Sequence, residues 1–373
     1  MATKAEEYTL GVEEEYQIVG GDGGLIPENE SVMGAARETL GEQVELEMLA
    51  AQIEVMTPVC STLSEVRSEL SRLRRGIIAA AEDQGKRILA ASTHPFSHWN
   101  EQELTPKGRY RRMMESFQRL GEQQLSFGFH VHVGLDDREA AVAVMDRIRV
   151  WLAPLLALSA NSPFWLGEDS GYASYRTQIW GRFPTAGPPA FYGSLETHDL
   201  LMQALVETGS VIDSESIYFD VRLPQKHDTV EIRVADVCSK LDESVMLAGL
   251  SRALVRECHG RFLRGEPAPD ARPELLRAAH WRASRHGLDE ELVDLEGCRS
   301  VPAREIVGSL LDFARPALEE EGDWDEVSTL VEETLESGNG ARRQRRAYEQ
   351  SGELEAVVDA LVAETAEGVR RGT

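Results

Sequence analysis

Glu13 and Glu15 lie within Gly11-Val12-Glu13-Glu14-Glu15-Tyr16, flanked by the apolar or β-prone residues Tyr8, Leu10, Ile18 and Val19. Such flanks predict a strand. On a strand Glu13 and Glu15 share one face about 6.6 Å apart, while Val12 and Glu14 point to the other. Neighbouring carboxylates repel unless cations sit beside them. The pair is therefore a candidate metal site, or else the acidic guard of a solvated edge strand.

Three further stretches repeat the pattern. Gln52-Ile53-Glu54-Val55-Met56, closed by Thr57-Pro58, places Gln52 and Glu54 on one face, with Glu45 and Glu47 just upstream. Phe127 to Gly134 sets His130 and His132 opposite Phe129, Val131 and Val133. Thr229 to Asp236 sets Glu231 and Arg233 opposite Val230, Ile232 and Val234. Joined in one antiparallel sheet, the four segments would make one apolar face and one wall of carboxylate and imidazole. Burying that wall without countercharge would be prohibitive. Divalent cations relieve it, and a carboxylate-rich ligand set favours Mg²⁺ or Mn²⁺ over zinc. Arg233 beside them repels metal but suits a phosphoryl group. No P-loop and no Gly-x-Gly-x-x-Gly after a strand is present, so a triphosphate reading rests on the metals.

The elements that would position these residues are legible around them. Gly20 to Gly24 is a turn. Thr62-x-x-Glu65 is a capping box, and Leu63, Val66, Leu70, Leu73 and Ile77 form the apolar stripe of the helix it starts. A strand at 87–91 leads to His94, which could touch substrate or serve the loop structurally. A helix over 108–124 carries Arg109, Arg111 and Arg112 as a solvated or ion-paired face. Asp136-Asp137 caps a long amphipathic helix through Leu155, kinked at Pro154. The loop over 162–192 is rich in Gly, Pro, Tyr and Trp. Its Tyr172, Tyr175, Arg176, Trp180 and Arg182 could reach an anionic substrate or pack the loop on itself. Tyr218–Leu223 and Thr229–Asp236 form a hairpin, which adds Arg222. The candidate substrate-binding set is thus Tyr172, Tyr175, Arg176, Arg222 and Arg233. From Asp242 onward the chain reads as mostly helical. The run Arg342 to Arg346 begins a helix there, as a solvated face or a phosphate contact.

No linker, repeat or low-complexity segment divides the 373 residues, which read as one domain with a helical part over about 242–373. Hydrophobic content of 42% and charged content of 28% suit a soluble globular protein. No apolar run reaches membrane-spanning length and the first residues lack a signal-peptide core, so a cytoplasmic location is expected. A net charge of −25 argues against nucleic acid or an anionic membrane as partner. Lysines are few and arginines many, as a salt-rich cytoplasm or a GC-rich genome would produce. The four cysteines are scattered and read as reduced thiols. A homo-oligomer is compatible with these features.

Taken together, Gly11–Tyr16, Gln52–Pro58, Gly128–Gly134 and Val230–Asp236 resemble the motifs of the carboxylate–amine ligases of the glutamate–cysteine ligase type 2 family. The stretches Ser170-Gly-Tyr-Ala-Ser-Tyr-Arg176 and Gly338-Asn-Gly-Ala-x-Arg-Gln344 are similar too, and the resemblance runs in order over essentially the whole chain. It implies an α+β fold: a glutamine-synthetase-like antiparallel sheet forming a metal-lined trough, with helices on the other face. It also implies ATP as co-substrate. The γ-carboxylate of glutamate would join the amine of cysteine through a γ-glutamyl phosphate, giving γ-glutamylcysteine, ADP and phosphate, as in glutathione biosynthesis. Carried over, Glu15, Glu47 and Glu54 would hold one Mg²⁺. Glu13, His130 and Glu231 would hold another, and a third would share Glu13 and Glu231. Arg233 and Glu54 would be the catalytic residues, Arg233 stabilising the phosphoryl group in flight. His132 receives no role, and Glu45 is an alternative to Glu47. Competing readings are the same chemistry with another amine, a guanidino-type phosphotransferase, and a metal-storing protein; Arg233 among the carboxylates speaks against the last.

Overall fold

A computed structural model describes residues 8–369. Its strands are β1 (Leu10–Val19), β2 (Val44–Leu46), β3 (Gln52–Met56), β4 (Arg87–Leu89), β5 (Phe129–Gly134), a small hairpin of β6 (Phe164–Trp165) and β7 (Glu168–Asp169), then β8 (Val221–Arg222) and β9 (Thr229–Ile232). The main sheet has the order β2-β3-β1-β5-β9-β8, with β4 also pairing β1, and every pairing is antiparallel. β1 is its spine because its long alternating run offers two full edges.

Register puts the acidic pairs into rows. Glu15 stands opposite Glu54, which on its other side meets Glu45. Glu13 stands opposite His130. His132 stands opposite Glu231, which in turn meets Arg222. Directly opposed residues of antiparallel strands share a face, so four strands with the same period make one polar wall.

The other face carries the core. Val12, Tyr16, Ile53, Val131 and Ile232 belong to one apolar cluster with the helices α1 (Asn29–Leu40) and α2 (Leu63–Glu82) and with those that follow. The Thr62 capping box forms as its spacing predicts, and Leu63, Val66, Leu70, Leu73 and Ile77 are buried. Helical pairing breaks at Gln118, whose φ is 50°, so the helix expected over 108–124 becomes α3 (Gly108–Phe117) and α4 (Arg119–Glu122). Asp137 caps α5 (Arg138–Ile148), accepting from Glu139 N and Ala140 N. A 3₁₀ turn at Arg149–Trp151 separates it from α6 (Leu152–Ser159). The break lies one turn ahead of Pro154, because the proline ring opposes the carbonyl four residues back, at Val150.

α7 (Tyr175–Trp180) interrupts the long loop, and α8 (Leu195–Glu207) follows it. The largely buried α9 (Leu241–Leu263) runs under β1 and β5. Then come α10 (Pro273–His286), a hairpin of β10 (Glu291–Asp294) and β11 (Arg299–Pro302), and α11 (Ala303–Glu321), α12 (Trp324–Ser337), α13 (Gly340–Ser351) and α14 (Leu354–Thr365). The hairpin departs from the helical reading of this part. Asp294 Oδ1 turns it by accepting from Glu296 N and Gly297 N at 3.1 and 2.9 Å. Among the described residues no helix is long and apolar enough to cross a membrane.

One charged residue breaks the apolar face. Glu14 points away from the trough, as alternation requires, yet is fully buried against Arg74 of α2, itself fully buried. All three nitrogens of the arginine donate: Nε and Nη2 to the Glu14 carboxylate at 3.0 and 2.5 Å, with further bonds to Ser239 O, Cys238 O and Ser244 Oγ. Tyr16 and Ser244 hydroxyls also donate to Glu14.

Candidate active site

The polar face lines a cavity of about 200 Å³ whose walls include Glu13, Glu15, Glu47, Glu54, His130 and Arg233. It shares Glu13, Arg109, Glu215 and Arg222 with a second cavity of about 170 Å³, which His132 and Glu231 line. All six glutamate and histidine positions proposed as ligands therefore converge on one trough.

Each carboxylate is held differently. Glu13 faces two imidazoles, with Oε2 2.8 Å from His130 Nδ1 and Oε1 3.2 Å from His132 Nε2. Burial opposes its charge, but bonds to both histidines hold its carboxyl well below the usual range. Glu15 Oε2 accepts from Gly128 N at 2.6 Å and Gln52 Nε2 at 2.7 Å. Glu231, 1% exposed, is clasped by Arg222 through Nε at 2.6 Å and by Arg233 Nη1. Despite burial, Arg233 and Arg222 hold that carboxyl low.

Glu54 has no such compensation. It is 8% exposed, and among the described residues its carboxyl accepts no hydrogen bond. Burial, then the charges of Glu13, Glu47, Glu15 and Glu45, push it well up. Glu47 accepts from Met48 N at 3.1 Å and Tyr110 OH at 3.2 Å, and burial followed by Glu15 pushes it up to about 7. Missing positive charge thus concentrates around Glu54 and Glu47.

Two sets of side chains could hold a cation, with ligand atoms within 4.8 Å of one another: Glu13, Glu54 and His130, and Glu13, His132 and Glu231. The first fits a divalent ion better, because Glu231 in the second is already neutralised by two arginines. A donor set dominated by carboxylate oxygen suits Mg²⁺ or Mn²⁺. This grouping differs from the partition carried over from the family, which put Glu54 with Glu15 and Glu47, and His130 with Glu231. Register is the reason, since Glu13 lies opposite His130 whereas Glu231 lies opposite His132. His132, left without a role by resemblance, joins the second set. Glu45, the alternative to Glu47, is exposed, whereas Glu47 lines the cavity.

Of the candidate substrate residues, Arg176, Arg222 and Arg233 line the trough, and Tyr172 and Tyr175 do not. The tyrosines pack the loop on itself. Their rings lie 5.8 Å apart, Tyr175 sits against Trp165, and the Tyr172 hydroxyl accepts from Trp281 Nε1 at 3.2 Å. Arg182 is tied to Gln123 at 2.6 Å. His94 is structural: it is fully buried, bonded to Gly23 O and accepting from Phe96 N and Ser97 N. The arginines of the Arg342–Arg346 run bind within the protein, Arg342 to Asp289, Arg343 to Glu243 and Glu364, Arg345 to Asp169, and Arg346 to Ser337 O. Sequence reasoning missed Arg109, Tyr110 and Glu215 as trough residues, whereas Trp180, one of its loop candidates, does line the trough. Helical charge patterning marks Arg109 only as a surface group, and the two others carry no local signal.

Gly128 admits these side chains by lacking one of its own. A Cβ there would lie 3.0 Å from both Arg176 Nη2 and His130 Nε2.

The family described as glutamate–cysteine ligase family 2 (GCS2) matches residues 9–360. The chain is 42% identical over 378 residues to a Frankia alni protein that bears the provisional name glutamate–cysteine ligase 2-2, with 96% of this chain and 97% of that protein aligned. It is 40% identical over 363 residues to a Rhodopirellula baltica protein provisionally named glutamate–cysteine ligase 2, covering 96% of each. A solved glutamate–cysteine ligase from Francisella tularensis in complex with AMP superposes with a TM-score of 0.73 at 13% identity, covering 98% of this chain and 91% of that one. The second likeness is one of fold, and the fold is that of the glutamine-synthetase-like ligases.

Proposed function

The chain belongs to glutamate–cysteine ligase family 2, and on that premise we propose that it is an ATP-dependent ligase joining the γ-carboxylate of glutamate to the amine of cysteine. The products would be γ-glutamylcysteine, ADP and phosphate, made in the cytoplasm as a step toward glutathione. The observation that carries the reading is the uncompensated Glu54 carboxyl beside Glu13, Glu15 and Glu47, facing a trough that also contains Arg176, Arg222 and Arg233. Acids alone would store a cation. Acids and guanidinium groups in one cavity suit a cation that carries phosphates.

Glu13, Glu54 and His130 would hold Mg²⁺ or Mn²⁺, with Glu15 and Glu47 beside them, and the bound ion would neutralise triphosphate charge. Arg233 is anchored through Nη1 on Glu231, and its Nε is buried without a partner among the described residues. That donor would be satisfied by an oxygen of the phosphoryl group as the glutamate carboxylate displaces ADP. Arg222 braces Glu231 from the far side and so keeps Arg233 aimed. Arg176 lies on the opposite flank, 4.0 Å from the buried Asp236, and adds a second guanidinium to the phosphate side.

The test is ADP release by the purified protein with Mg²⁺, glutamate and a panel of amines. ADP that requires both glutamate and cysteine supports the proposal. Dependence on another amine keeps the chemistry and changes the substrate. A phosphorylated guanidino acceptor with no amide overturns the ligase reading. Glu54→Gln should abolish turnover in a folded protein; full activity in that variant would remove the site assignment.

A further inference from the structure

The cations lining the trough differ in what holds them. Arg222 and Arg233 share Glu231, and all three are buried or nearly so. Arg176 leans toward Asp236, which is fully buried and also accepts from Asn161 N, Ser162 Oγ and Ser174 Oγ. Opening any of these pairs would strand a charge in a dry site.

Arg109 and Lys226 are held otherwise. Both are paired to Glu215, with Arg109 Nη1 2.9 Å from Oε2 and Lys226 Nζ 2.7 Å from Oε1. All three side chains are more than a third exposed. An exposed pair of this kind is worth a factor of a few at most. The three residues come from separate elements: Arg109 from α3, Lys226 from the β8–β9 turn, and Glu215 from the short 3₁₀ turn Ser214–Ser216. They meet at the boundary of the two cavities, which Arg109 and Glu215 line in common. The backbone at Glu215 is itself pinned, its carbonyl accepting from Arg222 Nη1 at 3.2 Å and the turn capped by Asp213. Only the side chain has to rotate for the pair to open.

We infer that Glu215 stands in for a substrate oxyanion, and that Arg109 and Lys226 bind that oxyanion once the Glu215 carboxylate has swung away. Carboxylate and phosphate present the same oxygen geometry to a guanidinium. The oxyanion is therefore either a phosphate of the nucleotide or the α-carboxylate of the amino acid. The inference rests on the proposed function only insofar as an anionic substrate enters this trough.

Calorimetric titration of ATP with Mg²⁺, and separately of glutamate, into the full chain tests it without turnover. Arg109→Ala should weaken one ligand by about ten- to hundredfold, the usual worth of a charge-assisted hydrogen bond. Arg109→Lys should recover part of that loss. Glu215→Gln should tighten the same ligand by up to about fivefold, because it removes the competitor. Which ligand responds identifies the oxyanion. Unchanged circular dichroism in Arg109→Ala, with Mg²⁺ still raising its unfolding midpoint as in the wild type, separates lost binding from lost folding. Weaker binding in Glu215→Gln would overturn the inference, since Glu215 would then merely orient Arg109. No effect of Arg109→Ala on either ligand, or no binding of either ligand by the wild type, would overturn it too. A wild type that binds both ligands yet forms no amide would sink the ligase reading while the variants still decide this one.

Discussion

Glu47→Gln should stabilise the metal-free protein at neutral pH, the reverse of what truncating a buried contact does. Burial and the Glu15 charge push the Glu47 carboxyl from an ordinary 4.5 up to about 7. A carboxyl raised on folding keeps its proton in the native state while the unfolded chain releases it. Stability therefore falls as pH climbs from 4.5 toward 7. At pH 7 the imbalance comes to about 3 kcal/mol, and partial exposure at the cavity edge trims it to about 2 kcal/mol. Glutamine keeps the shape and still accepts from Tyr110 OH and Met48 N. Urea unfolding followed by circular dichroism, with chelator and with millimolar Mg²⁺, reads the effect. Near pH 5 variant and wild type should lie within about 1 kcal/mol. Near pH 8 in chelator the variant should be the more stable by about 2 kcal/mol. Millimolar Mg²⁺ should narrow that gap, because the Glu47 charge beside Glu13, Glu54 and His130 would help the wild type hold the cation more tightly than the variant does. A variant less stable than wild type in chelator near pH 8 would refute the account of uncompensated charge at this end of the trough.

Arg74→Met strands the buried Glu14 and should cost about 3–5 kcal/mol in urea unfolding, while adding Glu14→Leu should recover most of that. Gly128→Ala pushes a methyl against Arg176 and His130. Turnover should fall roughly tenfold or more with little change in the unfolding midpoint, as small misplacements of reacting groups do; an unchanged rate would show those side chains free to move. His94 is held down to about 4 by burial, against an ordinary 6.5, so the unfolded chain takes up its proton first as pH drops. The stability it lends is complete above 6.5 and is lost on descending to 4, about 3 kcal/mol in all. His94→Asn should flatten that part of the acid slope, and an identical slope in the variant would contradict the assignment.

Much of the trough is legible in the chain because its four wall strands each carry their polar residues two apart. Glu13 with Glu15, Gln52 with Glu54, His130 with His132 and Glu231 with Arg233 all take the expected face. The Thr62 and Asp137 caps are equally local, since a cap and the amides it serves lie within one turn. Other features escape any local pattern. Arg74 sits in a helix next to its apolar stripe with nothing to mark it as the partner of Glu14, 60 residues away. Arg343 resembles its neighbours Arg342 and Arg346, yet it alone of the three bridges two buried or half-buried glutamates. The tyrosines of the long loop look like binding residues because nothing in their spacing distinguishes an aromatic facing substrate from one facing another aromatic.

The side to which each strand residue points is written in the chain, because a two-residue period is a property of the extended backbone and needs no partner. Which residues then become neighbours is not. Glu13 meets His130 and His132, Glu231 joins it through His132 rather than His130, and Glu54 is left without a donor, through the register of strands distant in sequence. Glu14 and Glu54 are the same residue type on strands of the same period. One is neutralised by a guanidinium and the other starved of positive charge, because burial and countercharge are set by what packs against a side chain in space.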